Sequence, residues 1–286
     1  MEPTKKTIPQ FMEMKKSADK ITVLTAYDYP SALLVEQAGI DMILVGDSLG
    51  MVVLGYDDTV PVTMDEMLHH TKAVRRGARN TFIISDMPFM SYNISTADAI
   101  NNAGRFLKEA QADAVKLEGG ESVAQTVAAI VRAGIPVMGH IGLTPQTAGQ
   151  LGGFKVQGRD SMSAERLIRD AKALEAAGAF SIVLEAIPQQ LAELISQELS
   201  IPTIGIGAGV SCDGQVLVFH DLLGLFQRFV PKFVKQYANL APVISEAFQC
   251  YRKEVKSGTF PEAKHSFNID TEQISHLYGG ISKTKI

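Results

Sequence analysis

Four acidic residues each end an apolar run in this chain. They are Asp47 in DMILVGDS (41–48), Asp86 in TFIISDMPF (81–89), Glu118 in AVKLEGG (114–120) and Glu185 in FSIVLEAI (180–187). Side chains alternate faces along a strand, so Lys116 and Glu118 point the same way, into the interior. A buried Lys and Glu each need a partner, a metal or a substrate. Three carboxylates gathered at one place repel unless positive charge lies between them. An all-oxygen set such as Asp47, Asp86 and Glu118 favours a hard cation, Mg²⁺ over zinc. Mg²⁺ leaves positions open for a chelating 2-oxo acid, and Lys116 supplies a positive charge for that acid's carboxylate. A C–H beside the metal-bound carbonyl becomes acidic, and Glu185, outside the ligand set, is the candidate base.

Each of these residues also has a plainer use. An acid after a strand can cap the next helix or fix a turn, and Lys116 and Glu118 can form a structural ion pair. His140 ends another run, PVMGHIGL (136–143), where a backbone contact and a substrate contact are both open. His69 and His70 are neighbours on an expected helix, do not share a face, and suit solvation or packing. His220 and Asp221 would end a strand on opposite faces, a poor dyad. The Gly205-x-Gly207-x-Gly209 run lacks the full dinucleotide fingerprint and comes late in the chain. Close packing or ligand clearance accounts for it better.

The elements that must carry these residues alternate in type. Strand-like runs fall at 21–28, 41–48, 81–89, 114–120, 136–143, 180–187, 202–209 and 215–220. Helical stretches are expected at 31–38, 63–79, 96–111, 121–133, 163–178, 189–199 and 239–256, the second opened by a capping box at Thr63 and Glu66. A long Gly- and Gln-rich loop covers 144–160, a length that is often functional. Apolar strands without polar alternation suit a parallel sheet covered on both faces. Eight such units match an α/β chain folded as a (β/α)8 TIM barrel, with a doubly wound open sheet as the competitor. In a barrel the acids all fall at the C-terminal strand ends, where active sites lie. The expected domain runs over 1–267, followed by a polar tail at 268–286.

The 286 residues are 46% apolar and 20% charged, with a net charge of -4. That balance gives no footprint for nucleic acid or an anionic membrane. The two cysteines, Cys212 and Cys250, are far apart, as in a reduced cytoplasmic protein. The N-terminal segment is charged and is not a secretory signal, and no run is long enough for a membrane span.

Taken together, the segments TAYDYPSA (25–32), VGDSLGMVVLGYDDTVPVT (45–63), SDMPFMSY (85–92), AVKLEGG (114–120), MGHIGLTPQ (138–146), GGFKVQGR (152–159), LEAIP (184–188), IGIGAG (204–209) and FPEAKHSF (260–267) resemble the ketopantoate hydroxymethyltransferase family. The resemblance spans residues 7 to 267. It implies a (β/α)8 barrel of the phosphoenolpyruvate/oxoacid-enolate type with one Mg²⁺ per subunit. It also implies hydroxymethyl transfer from 5,10-methylenetetrahydrofolate to 3-methyl-2-oxobutanoate, giving 2-dehydropantoate for pantothenate biosynthesis through a Mg-stabilised enolate. By resemblance, Asp47, Asp86 and Glu118 match the metal site. Asp47, Ser48, Asp86 and Lys116 match the oxoacid contacts, His140 a position near the substrate, and Glu185 the proton acceptor. Members are commonly homodecamers. Two other readings stay open on the residues: a Mg-dependent oxoacid lyase or mutase of the isocitrate lyase/phosphoenolpyruvate mutase type, and a non-catalytic oxoacid-binding protein on the same fold.

Overall fold

A computed structural model gives the three-dimensional structure, which describes residues 5–270 and 272–273. Eight parallel strands close into a barrel in sequence order: β1 (Ile21–Thr25), β2 (Met42–Val45), β3 (Phe82–Asp86), β4 (Ala114–Glu118), β5 (Val137–Gly142), β6 (Ser181–Glu185), β7 (Thr203–Ile206) and β8 (Gly214–Leu217). β8 pairs with β1, which excludes the open doubly wound sheet.

The unbroken apolar character of the strands has a direct cause. Alternate residues enter two different cores. On β2, Met42 and Leu44 join the cluster inside the barrel, while Ile43 and Val45 join the cluster between sheet and helices. On β4, Ala114 is inside while Val115 and Leu117 pack outward. Lys116 and Glu118 share the face of Ala114, as the two-residue period requires.

Six crossovers carry the main outer helices, α2 (Tyr29–Gln37), α4 (Met64–Gly77), α5 (Thr96–Ala110), α6 (Ala124–Arg132), α7 (Ser161–Ala176) and α8 (Gln189–Glu198). A short helix, α3 (Leu49–Val52), lies within the stretch expected as loop between β2 and α4. Local chemistry starts these helices. Asp28, Thr63 and Asp160 form capping boxes, and the Ser95 hydroxyl accepts from the N–H of Asp98.

A helix absent from the expected order, α1 (Ile8–Ser17), precedes the barrel. Half of its residues are polar, and Phe11 and Met14 join the inner barrel cluster. Phe11 meets Phe82 edge-on at 5.3 Å, and Phe82 meets Phe180 at 5.8 Å. Both partner rings stand at or beside strand starts, so α1 closes the N-terminal end of the barrel.

The eighth strand departs from expectation. It ends at Leu217, and His220 and Asp221 lie on the short helix α9 (Phe219–Leu222). The apolar run QVLVFH does not distinguish strand from helix at that length.

The chain divides into two compact units, one ending at Ala238 and one starting at Asn239. The second holds α10 (Leu240–Ser257), with no buried residue, and a ring contact of Tyr251 with Phe260 at 5.7 Å. The boundary at residue 267 expected from sequence falls inside this unit, and most of the 268–286 tail lies outside the described residues. Among the described residues no helix is long and apolar enough to cross a membrane.

Candidate active site

Strand register sets the polar residues side by side at the C-terminal end of the barrel. Asp86 on β3 is the neighbour of Lys116 on β4, and Glu118 is the neighbour of His140 on β5. Glu185 ends β6 opposite Gly142. The inner layers nearer the strand starts are apolar, and the chemistry begins where they stop.

The contacts form a continuous chain. Lys116 Nζ lies 2.9 Å from Asp86 Oδ1 and 3.2 Å from His140 Nδ1. His140 Nδ1 is 3.4 Å from Glu118 Oε1, and its Nε2 is 3.2 Å from Glu185 Oε2. The backbone N–H of Asp47 donates to Asp86 Oδ2 at 3.0 Å. Ser48 Oγ pairs with the Tyr27 hydroxyl at 2.8 Å. Asp47, Ser48, Asp86, Lys116, Glu118, His140 and Glu185 all line one cavity of about 440 Å³. The two residues singled out at the start, Lys116 and Glu118, are buried in its floor with Asp47, Asp86 and His140.

Gln146 binds the cluster together. Its side-chain amide donates to Asp47 Oδ2 at 2.8 Å and to the Met87 carbonyl at 2.9 Å. Its Oε1 accepts from the Tyr92 hydroxyl at 2.6 Å, and its backbone N–H donates to Glu118 Oε2 at 3.0 Å. Sequence reasoning flags the 144–160 loop but not this glutamine. A Gln after Thr-Pro carries no charge and no period, so the available signals are the loop's length and its place at the end of the segment MGHIGLTPQ.

The backbone is shaped around Glu185. Ala186, the next residue, has φ +47°, an uncommon conformation for a residue with a side chain. Gly142 has φ +98°, and a Cβ there would stand 2.2 Å from the Glu185 carbonyl oxygen. β5 and β6 therefore approach closely where the candidate base sits.

Charge is unbalanced. Burial, together with the negative charges of Asp86 and Glu118, pushes Asp47 well above the usual carboxylate range. Burial also raises Asp86, although Lys116 offsets part of the effect. Burial opposes the Lys116 ammonium, but Asp86, Glu118 and Asp47 more than compensate, so it stays protonated. Burial and Lys116 disfavour charged His140, yet Glu118 and Glu185 hold it up at about 9.

These residues fit a hard divalent cation on the chemistry of their donors. Asp47, Asp86 and Glu118 offer only oxygen donors, and the charges of Asp86 and Glu118 add to burial, the larger cause, in raising Asp47. Among the described residues, no three or more His, Cys, Asp or Glu side chains stand in a ready metal-holding cluster. Lys116 and Gln146 instead hold the acids by ion pair and hydrogen bond.

His70, expected to be solvated or packed, has Nδ1 2.6 Å from the Tyr27 carbonyl. The late glycine run serves packing at all three positions, and a Cβ at Gly205 would stand 2.9 Å from Cys212 Sγ. A Cβ at Gly207 would stand 2.7 Å from the Phe233 ring, and one at Gly209 would stand 2.4 Å from Gln189.

Solved structures share this architecture. Phosphonopyruvate hydrolase, solved in complex with oxalate and Mg²⁺, aligns over 94% of this chain and 94% of its own, with TM-score 0.60 and 16% identity. A 2,3-dimethylmalate lyase aligns over 91% of each chain with TM-score 0.57 and 16% identity. At such identities the likeness concerns the fold. Sequence relatives are far nearer. The 3-methyl-2-oxobutanoate hydroxymethyltransferase of Carboxydothermus hydrogenoformans is 60% identical over 272 residues, covering 95% of this chain and 99% of the relative. That of Moorella thermoacetica is 63% identical over 261 residues, covering 91% and 97%. The sequence profile described as ketopantoate hydroxymethyltransferase matches residues 5–263, a span that holds every residue of the cavity floor. With profile, near-full-length relatives and barrel in agreement, the chain belongs to the ketopantoate hydroxymethyltransferase family.

Proposed function

We propose that this enzyme transfers a hydroxymethyl group from 5,10-methylenetetrahydrofolate to 3-methyl-2-oxobutanoate, giving 2-dehydropantoate and tetrahydrofolate. The observation that carries this reading is the buried row Asp86–Lys116–His140–Glu185 on the floor of one cavity, in a chain of this family. A magnesium ion held by Asp47, Asp86 and Glu118 would supply positive charge where the oxoacid gathers negative charge. Lys116 attracts the oxoacid carboxylate, and the Ser48 hydroxyl offers it a hydrogen bond. Glu185 is the base that removes the proton at C3, and His140 fixes the carboxylate that does so. Leu44, Val183, Ile206 and Val216 wall the cavity with apolar surface and limit water beside the carbanion. In net terms C3 exchanges its hydrogen for CH2OH, and water provides the hydroxyl oxygen.

A cytoplasmic location and assembly into homodecamers belong to the same reading. Exposed Val243, Ile244, Phe248, Tyr251 and Val255 on α10 support self-association. The deciding assay follows 2-dehydropantoate formation with folate present and absent. Transfer that depends on both folate and magnesium is expected. Turnover without folate and with release of a second fragment would instead identify a lyase or mutase. No turnover of any oxoacid would leave a binding protein.

A further inference from the structure

One acid in the cavity has no use in the chemistry above. Asp221, on α9 beyond β8, is buried at 8% exposure and lines the same cavity as the reacting groups. Among the described residues its carboxylate takes part in no hydrogen bond and no ion pair. Every acid on the floor differs in this. Asp86 faces Lys116, Asp47 and Glu118 accept from Gln146, and Glu185 faces His140. The adjacent His220 does not serve as a partner, because burial lowers its pKa and keeps it neutral. Burial alone raises Asp221 to about 6, so it is mostly ionised at neutral pH.

A carboxylate with no donor from the protein, opening onto a cavity, is free to take its donors from a ligand in place of water. The oxoacid cannot provide them. Its carboxylate and ketone are acceptors only, and Asp221 would repel it. The folate can. The pyrimidine edge of a pterin presents a ring N–H beside an exocyclic amino group, two parallel donors matched to the two oxygens of one carboxylate. Flat apolar surface lies in the same cavity wall, from Phe226, Phe229 and Phe233, with Phe226 and Phe229 at 5.5 Å. Such rings suit the faces of a bicyclic heterocycle. Lys155 and Lys232 also line the cavity and offer cations to the glutamate carboxylates of a folate.

We infer that Asp221 is the specificity residue for the one-carbon donor, accepting the ring N–H and the 2-amino group of the pterin. The assignment rests on the transferase reading above.

The test uses the full-length enzyme with magnesium and two probes, 6-methyltetrahydropterin and its 2-desamino counterpart, as competitors of 5,10-methylenetetrahydrofolate. The wild type should bind the 2-desamino compound roughly 10- to 100-fold more weakly than the parent, the effect of losing one hydrogen bond to a charged acceptor. In Asp221→Asn, one of whose two side-chain polar atoms is a donor, that preference should shrink to within a few-fold. The variant's KM for the folate should rise at least about tenfold, with a much smaller change in KM for the oxoacid. Equal binding of the two pterins by the wild type overturns the assignment even if the variant does not fold. A parallel rise in both KM values, with the pterin preference retained, overturns it too. If the wild type transfers no hydroxymethyl group at all, the transferase reading fails first. If transfer is normal and the pterins are not distinguished, only the role of Asp221 fails.

Discussion

At the scale of single residues, the cavity separates groups that do chemistry from groups that hold them. Glu185→Gln keeps size and polarity but removes the proposed base. Its kcat should fall by about 10²- to 10⁴-fold with KM for the oxoacid little changed, and exchange of the C3 hydrogen with deuterated solvent should stop. Steady-state kinetics and proton NMR check both. Asp86→Ala removes the 2.9 Å partner of Lys116 and leaves a buried ammonium with less compensation. Glu118 and Asp47 still face that ammonium, and a buried acid with a raised pKa is itself removed, so stability should change by no more than about 1 kcal/mol in denaturant titrations, while the heat of magnesium binding in calorimetry should vanish. Asp221 has no cation beside it, so burial alone sets the sign of its effect. Its folded pKa, raised by burial to about 6, lies above its ordinary value of 3.8, so the folded protein holds the proton more tightly. Stability therefore falls as pH rises from about 4 through about 6, and stays lowered above that. Asp221→Asn should gain of order 1 kcal/mol over the wild type at pH 7.5, after allowance for screening by solvent in the open cavity, and nothing from this source at pH 3.5. Melting curves at the two pH values measure it. A residue that lowers the stability of the free enzyme is what a site kept ready for a ligand should contain.

Elements place these residues by register, and here glycines matter as much as acids. Gly142 has φ +98° and no room for a Cβ beside the Glu185 carbonyl. Gly142→Ala should cost about 1–3 kcal/mol in unfolding experiments and should lower kcat more than it changes KM, because the strain falls on the strand end that carries the proposed base. Such a role is not legible in the sequence, where GHIG looks like any strand that meets a turn. What was legible came from two-residue periodicity. Lys116 and Glu118 had to share a face, and the structure buries both on the face of Ala114. The acids at the ends of β2, β3, β4 and β6 were found because an acid after a run of Ile, Leu and Val is unusual. Gln146 was not, since its importance lies in four hydrogen bonds to groups distant in sequence. In the sequence Asp221 reads only as half of a poor dyad. Read as the end of a strand it faced away from His220, whereas α9 turns it into the cavity. Helix α1 was missed for a related reason. Its apolar residues Ile8, Phe11, Met12 and Met14 are set among Pro9, charges and an amide in a short segment, yet Phe11 and Met14 suffice to close a barrel end.

At the scale of the barrel, stability and chemistry occupy opposite ends, and this can be tested from the end without chemistry. Phe11 has no exposed surface, and its ring is the outermost of a stack that continues through Phe82 to Phe180. The helix that carries it is tied to the barrel by Lys15, which pairs with Asp213 at 2.7 Å and donates to the Ser196 carbonyl at 2.8 Å. The polar layer of Asp86, Lys116 and His140 begins only after the apolar layers of Phe82, Ile84, Ala114 and Met138. Close-packed interiors relax only partly around a deletion, so Phe11→Ala should leave a cavity and cost about 3–5 kcal/mol. The same variant, assayed well below its midpoint of unfolding, should keep kcat and both KM values within about twofold, because no reacting group touches the plug. Paired denaturation and kinetic measurements decide the point. A large loss of kcat in folded Phe11→Ala would show that the packing of the barrel interior transmits strain from one end to the other, and that the acids at the mouth are held in place by the whole column of side chains beneath them.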